Sequence, residues 1–150
     1  MLGKIKDLAN ILIYGGSTKF NSGENTILSA VYAALPNNEK ETLEEQLNSV
    51  ILVQRQHPGR LVMAYYRKSA NLVELPYSGY EYCLAEVKYK NNNRTKKTNV
   101  VLHDGVFQSL EHAVPKEQTE INEIISVILH PNEYKSVAEE IDNEEHGRNT

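Results

Sequence analysis

Residues able to do chemistry gather in one late stretch of this chain. His103 and His112 bracket Asp104, Ser109 and Glu111, and the one thiol, Cys83, lies upstream. Imidazoles and carboxylates so close in sequence are the raw material of an acid–base pair or a metal site. Their spacing argues against either. Asp104-Gly105 is a two-residue hairpin signal; if it closes, His103 pairs with Val106 and His112 lies beyond the end of the return strand. Zinc sites use tighter intervals, such as two histidines four apart on a helix. Cys83 alternates with Ala85, Val87 and Tyr89 on an apolar face, with Glu86 and Lys88 opposite, which suits a small buried hydrophobe better than an activated thiolate. Gly15-Gly16 lacks the strand before it and the Lys-Ser/Thr after it that phosphate cradling requires. The expectation is a protein with no catalytic set, no metal and no cofactor.

Charge recognition has more material. Lys88, Lys90, Arg94, Lys96 and Lys97 surround the run Asn91-Asn92-Asn93, and a hairpin here concentrates them at one end of a sheet. Such a group suits an acidic protein surface or, with Tyr89 as a stacking ring, a nucleic acid. The alternation places Tyr89 inside with Val87, and the net charge of −4 also makes nucleic acid the weaker reading. A second cationic group follows the first expected hairpin: Arg55, Arg60, Arg67 and Lys68. Arg55 and Arg67 alternate with apolar neighbours and are expected to share an exposed sheet face with Tyr65 or Tyr66, a composition common at protein interfaces. The third charged region is acidic. Residues 111–150 carry 3 basic and 10 acidic groups, against 13 basic and 10 acidic in residues 1–110. Glu139, Glu140, Asp142, Glu144 and Glu145 form the candidate patch there.

These residues need a scaffold, and the length of 150 residues suits one domain. Trp is absent and Phe occurs twice, so nine Tyr residues must supply nearly all the aromatic packing. A single cysteine permits no internal disulfide and fits a reducing compartment. No apolar run approaches the roughly 20 residues that span a bilayer, and the N-terminus lacks a signal-peptide pattern, so a cytoplasmic protein without membrane contact is expected.

Leu2, Ile5, Leu8, Ile11 and Leu12 predict a first helix, followed by a loop over 15–23. Ile27, Leu28, Val31, Ala34 and Leu35 predict a second helix ended by Pro36. Asn37 or Asn38 is expected to cap a third, with Glu41, Glu44 and Glu45 outward and Leu43, Leu47 and Val50 inward. Residues 50–110 read as an antiparallel meander: strands over 51–56 and 60–67 joined by His57-Pro58-Gly59, a short edge strand over 72–75, a strand over 82–90, a polar loop over 91–97, and strands over 99–103 and 106–110. Ile121, Ile124, Ile125, Ile128 and Leu129 fall at helical spacing and predict a C-terminal helix over 119–129 that buries Ile124, Ile125 and Ile128. A weaker helix is expected over 132–141. The whole is one α+β domain over 1–142, its sheet flanked by N-terminal and C-terminal helices, with a frayed acidic tail over 143–150.

An acidic, single-domain α+β chain with a Tyr-rich polar sheet and no catalytic constellation resembles the small immunity proteins of bacterial toxin–immunity pairs. The resemblance implies binding to a cognate toxin domain and occlusion of its active surface. The acidic patch suits a basic, nuclease-like toxin, and the cationic groups suit an acidic one. The alternatives are a nucleic-acid-binding protein or enzyme using the Lys88–Lys97 hairpin, and a homo-oligomeric structural protein.

Overall fold

In a computed structural model, the structure describes residues 16–56, 60–77, 79–113 and 120–131. Two helices precede a six-stranded antiparallel sheet. Helix α1 (Ser22–Ala34) begins at Asn21, whose side chain accepts from the Glu24 N–H while the Glu24 carboxylate accepts from the Asn21 N–H. This reciprocal cap satisfies two otherwise orphaned donors. The helix stops because Leu35 precedes a proline and is pushed to extended backbone. Its stripe of Ile27, Leu28 and Val31 is buried. Helix α2 (Asn37–Asn48) is capped by the backbone of Pro36, not by either asparagine side chain expected to do so. Glu41, Glu44 and Glu45 face solvent and Leu43 is buried, as the periodicity requires.

The strands are β1 (Val50–Gln56), β2 (Leu61–Tyr66), β3 (Tyr82–Asn91), β4 (Arg94–His103), β5 (Val106–His112) and β6 (Glu123–Leu129), in the sheet order β1-β2-β5-β4-β3-β6. Two hairpin units, β1–β2 and β3–β4–β5, join through β2 and β5, and β6 returns to the far side of β3. The core lies between this sheet and the helices: Phe107, Tyr89, Leu84, Leu102 and Leu110 from the strands meet Ile27, Val31 and Leu43. Full burial of each such side chain contributes roughly 1.5–3 kcal/mol.

Both tight turns of the β3–β4–β5 unit use left-handed backbone. Asp104 and Gly105 have φ of 48° and 79°, and Asn92 and Asn93 have 48° and 63°. Two successive positive φ values match the right-handed twist of hairpin strands, and Asn and Gly tolerate them best. The loop expected over 91–97 is therefore only two residues long, and β4 resumes at Arg94.

Four further expectations are corrected. Residues 123–129 form a strand, not the end of a helix. Their five β-branched or Leu side chains fit the pleat, and a short apolar run satisfies both periods. Ile124, Val127 and Leu129 pack on the core, whereas Ile125 and Ile128 are 44% and 45% exposed. Residues 72–75 are irregular; Leu75 is buried and its N–H donates to the Gly105 carbonyl at 2.8 Å. Cys83 does not share the face of Ala85, Val87 and Tyr89. A register shift between Cys83 and Ala85 inserts Leu84 into the core and leaves Cys83 opposite Val101, on the face away from the helices. The fourth correction concerns Arg55 and is taken up below. The expected helices over 2–12 and 132–141, the turn at His57-Pro58-Gly59 and the acidic tail lie outside the described residues.

Candidate partner-binding surface

The β3–β4 hairpin holds the five expected cations, and its register divides them. Lys88 pairs with Lys97, Lys90 with Thr95, Tyr89 with Lys96, and Arg94 closes the turn opposite Asn91. Alternation sends Lys88, Lys90 and Lys97 to the face away from the helices; Lys96 follows Tyr89 toward the core side. Lys88, Lys90 and Arg94 are exposed, while Lys96 and Lys97 are half-buried. Lys97 lies 3.7 Å from the Glu86 carboxylate, which tempers a like-charge pair that otherwise disfavours the hairpin. The tip is braced from one side. The Asn91 amide donates to the Glu120 carbonyl at 2.6 Å, and Asn122 accepts from the Asn92 N–H at 2.9 Å while its own N–H donates to the Lys90 carbonyl at 2.9 Å. Tyr89 is fully buried, and its hydroxyl accepts from Thr98 at 3.2 Å.

Arg55 does not share an exposed face with Arg67. It lies on the helix side of β1, where Nε and Nη2 donate to the two Glu24 oxygens at 2.9 and 2.5 Å and Nη1 donates to Ser17 at 3.2 Å. A guanidinium matches a carboxylate two bonds at a time, so α1 supplies a partner that strand alternation alone does not foresee. Arg67 follows the end of β2 and is exposed. Tyr65 is exposed and donates to Gln54 at 3.1 Å, whereas Tyr66 turns inward to the Phe107 carbonyl. Glu139, Glu140, Asp142, Glu144 and Glu145 lie outside the described residues.

The histidine stretch is spread over both ends and both faces of the sheet. His103 pairs with Val106 at the turn, 3.4 Å from Asp104. His112 is at the other end of β5 and buried, with Nδ1 2.7 Å from Thr98 Oγ1. Its pKa is pushed down to about 4 by burial first, then by Lys96 and Arg55. Ser109 and Glu111 pair with Val101 and Asn99 and so face away from His112. Burial, then the nearby Glu111, pushes the Cys83 thiol up to about 12. Among the described residues, no group of three or more His, Cys, Asp or Glu side chains is placed to hold a metal.

Sequence reasoning missed one cluster. Glu39 of α2, Tyr77 of the β2–β3 connection, Tyr82 of β3 and His130 after β6 converge. Tyr77 donates to Glu39 Oε1 and stacks on Tyr82 at 4.9 Å and 7°. The Tyr82 hydroxyl is 2.8 Å from His130 Nδ1, and His130 itself has a φ of 51°. Burial raises both hydroxyl pKa values, that of Tyr77 reinforced by Glu39, so neither phenol releases its proton near neutrality. The cluster therefore acts as a clamp between connection, helix and sheet. Its parts are far apart in sequence, and the only cue was the tyrosine density of residues 77–82.

Comparison with known proteins finds no matching family model, no matching curated protein and no matching solved structure. Among the described residues, no helix is long and apolar enough to cross a membrane.

Proposed function

We propose that this chain is a non-catalytic protein-binding module, acting as an immunity protein that binds and neutralises a cognate toxin domain. The supporting observation is the β3–β4 hairpin: Lys88, Lys90 and Arg94 are held outward on a braced, two-residue turn and form no ion pair among the described residues. Such placement favours recognition over stability, because exposed cations contribute little to folding yet steer encounter with an acidic surface. Nucleic acid is the poorer fit. The ring that would stack on a base, Tyr89, is sealed in the core.

The test is capture from native host lysate with the tagged full chain, followed by association kinetics of any protein recovered. The expected result is a protein partner whose association with the unmodified chain slows as salt rises, and which K88E/K90E slows about tenfold at low salt. Recovery of nucleic acid without protein sinks the reading. A rate changed by E139K/E140K but untouched by K88E/K90E moves the contact to the acidic patch.

A further inference from the structure

A cavity of about 590 Å³ opens between residues 18–20, the two helices and the start of β1. Its apolar lining is Phe20, Leu28, Tyr32, Leu47 and Val50. Phe20 is held edge-on against the buried Phe107 at 5.9 Å, and Leu28 is itself buried, so this lining is fixed by the core beneath it. Glu44 of α2 and Lys19 add a charge of each sign. The size is that of a site that accepts a ligand, roughly 300–1,000 Å³.

The chain leads into this cavity from residues 1–15, which lie outside the described residues. Leu2, Ile5, Leu8, Ile11 and Leu12 recur there at helical spacing, and such a stripe needs an apolar surface to cover it. Gly16 fixes where the segment joins. It has a φ of 98°, and a Cβ there would lie 2.3 Å from the Val53 carbonyl oxygen, so the backbone is pressed against β1 beside the Ser17–Val53 bridge. From Val53 to Val50 is about 10 Å of strand. Residues 13–15 span up to about 10 Å when extended, and a helix over 1–12 is about 18 Å long. The tether is therefore long enough to turn back and lay the stripe over the cavity. Lys4 and Lys6 fall on opposite flanks of that stripe. In either orientation one of them lies toward α2, where Glu41, Glu44 and Glu45 are exposed and the last turn carries no cation. A cation also suits the negative end of that helix.

We propose that residues 1–12 lie in this cavity as a helix, with Ile5, Leu8 and Leu12 turned into it. The cavity is an intramolecular docking site, closed by the chain's own sequence. The short tether supplies an effective concentration on the order of millimolar, so modest contacts suffice. A partner that reaches Phe20 or Leu47 must first displace the segment. The inference stands apart from the protein-binding reading, which places its contact on the β3–β4 hairpin.

The test compares the full chain with its variant I5D/L8D by nitrogen–proton correlation spectra and by tryptic cleavage after Lys6. Shifts at Phe20, Leu28, Leu47 and Val50 are expected in the variant, with cleavage at least about tenfold faster. A synthetic peptide of residues 1–14, added to the variant, should return those signals toward their original positions. The same peptide with I5D/L8D should not. Ser29 is exposed on the cavity wall, so S29R obstructs the cavity without altering the segment and should also speed cleavage about tenfold. Unmoved cavity signals, peptide shifts elsewhere, or a cleavage rate that neither I5D/L8D nor S29R changes overturns the proposal. So does a mass that doubles with concentration in the original chain but not in I5D/L8D, which seats the segment on a second copy.

Discussion

The two ends of the β3–β4–β5 unit solve the same backbone problem and then diverge. At one end the Asp104-Gly105 turn is locked from several directions. Leu75 donates to the Gly105 carbonyl, the Asp104 N–H reaches Gly79, and the buried Gln46 amide donates to Gly105 and Val73 at 3.0 and 2.7 Å while accepting from the Phe107 N–H at 2.9 Å. At the other end Asn92-Asn93 has the same left-handed φ values, is braced from one side among the described residues, and carries Lys88, Lys90 and Arg94 into solvent. Turn geometry therefore does not decide what a turn does. What decides it is whether a second layer of hydrogen bonds and packing closes over it.

The sharpest way to break this contrast is at Gly105. An added Cβ there lies 2.7 Å from the Leu75 carbonyl oxygen at a φ of 79°. Left-handed strain and overpacking together should make G105A cost on the order of 2–5 kcal/mol in a urea titration. Asn93→Gly at the other turn should change stability by less than about 1 kcal/mol. Gln46→Ala comes next. It strands the buried Phe107 N–H and opens a cavity, and a loss of about 2–4 kcal/mol is expected. A loss below ~0.5 kcal/mol means that the lock is not where the hydrogen bonds place it.

Acid should act at the base of the cationic end. His112 has a folded pKa of about 4 against an ordinary value of 6.5, so the unfolded chain binds the proton first. The stability tied to a neutral His112 is fully present above pH 6.5 and is lost as pH falls from 6.5 to 4. The loss is at most about 3 kcal/mol. Denaturant midpoints at pH 7 and pH 4.5 measure it, and the slope should flatten in His112→Asn. The smallest effect belongs to Lys88→Glu. Relief of the Lys88–Lys97 repulsion should stabilise by about 0.2–1 kcal/mol at low salt and vanish at high salt. A large destabilisation would show that Lys88 is structural and not presented.

How much of this was legible depended on how local the cause was. Asp104-Gly105 announces its hairpin within two residues, and the stripe of Ile27, Leu28 and Val31 announces α1. The run Ile124, Ile125, Val127 and Ile128 was misread because a short apolar stretch satisfies helix and strand periods alike, and only pairing with β3 arbitrates. One inserted residue at Leu84 sufficed to turn Cys83 to the other face. Arg55 was assigned to an exposed surface because its partner, Glu24, is 31 residues away on a helix. The Glu39–Tyr77–Tyr82–His130 clamp joins elements that only the fold makes neighbours. Of the candidate surface, the clustering of cations was readable, but their division between the two faces required the register.

The lone thiol has a practical consequence. Burial pushes the Cys83 thiol up, so in its place opposite Val101 it stays protonated and shielded from solvent while the sheet is closed. An alkylating reagent therefore reads the fraction of time that the β3–β4 seam stands open. The chain contains its own clock for sheet breathing, at a single position and without an added label.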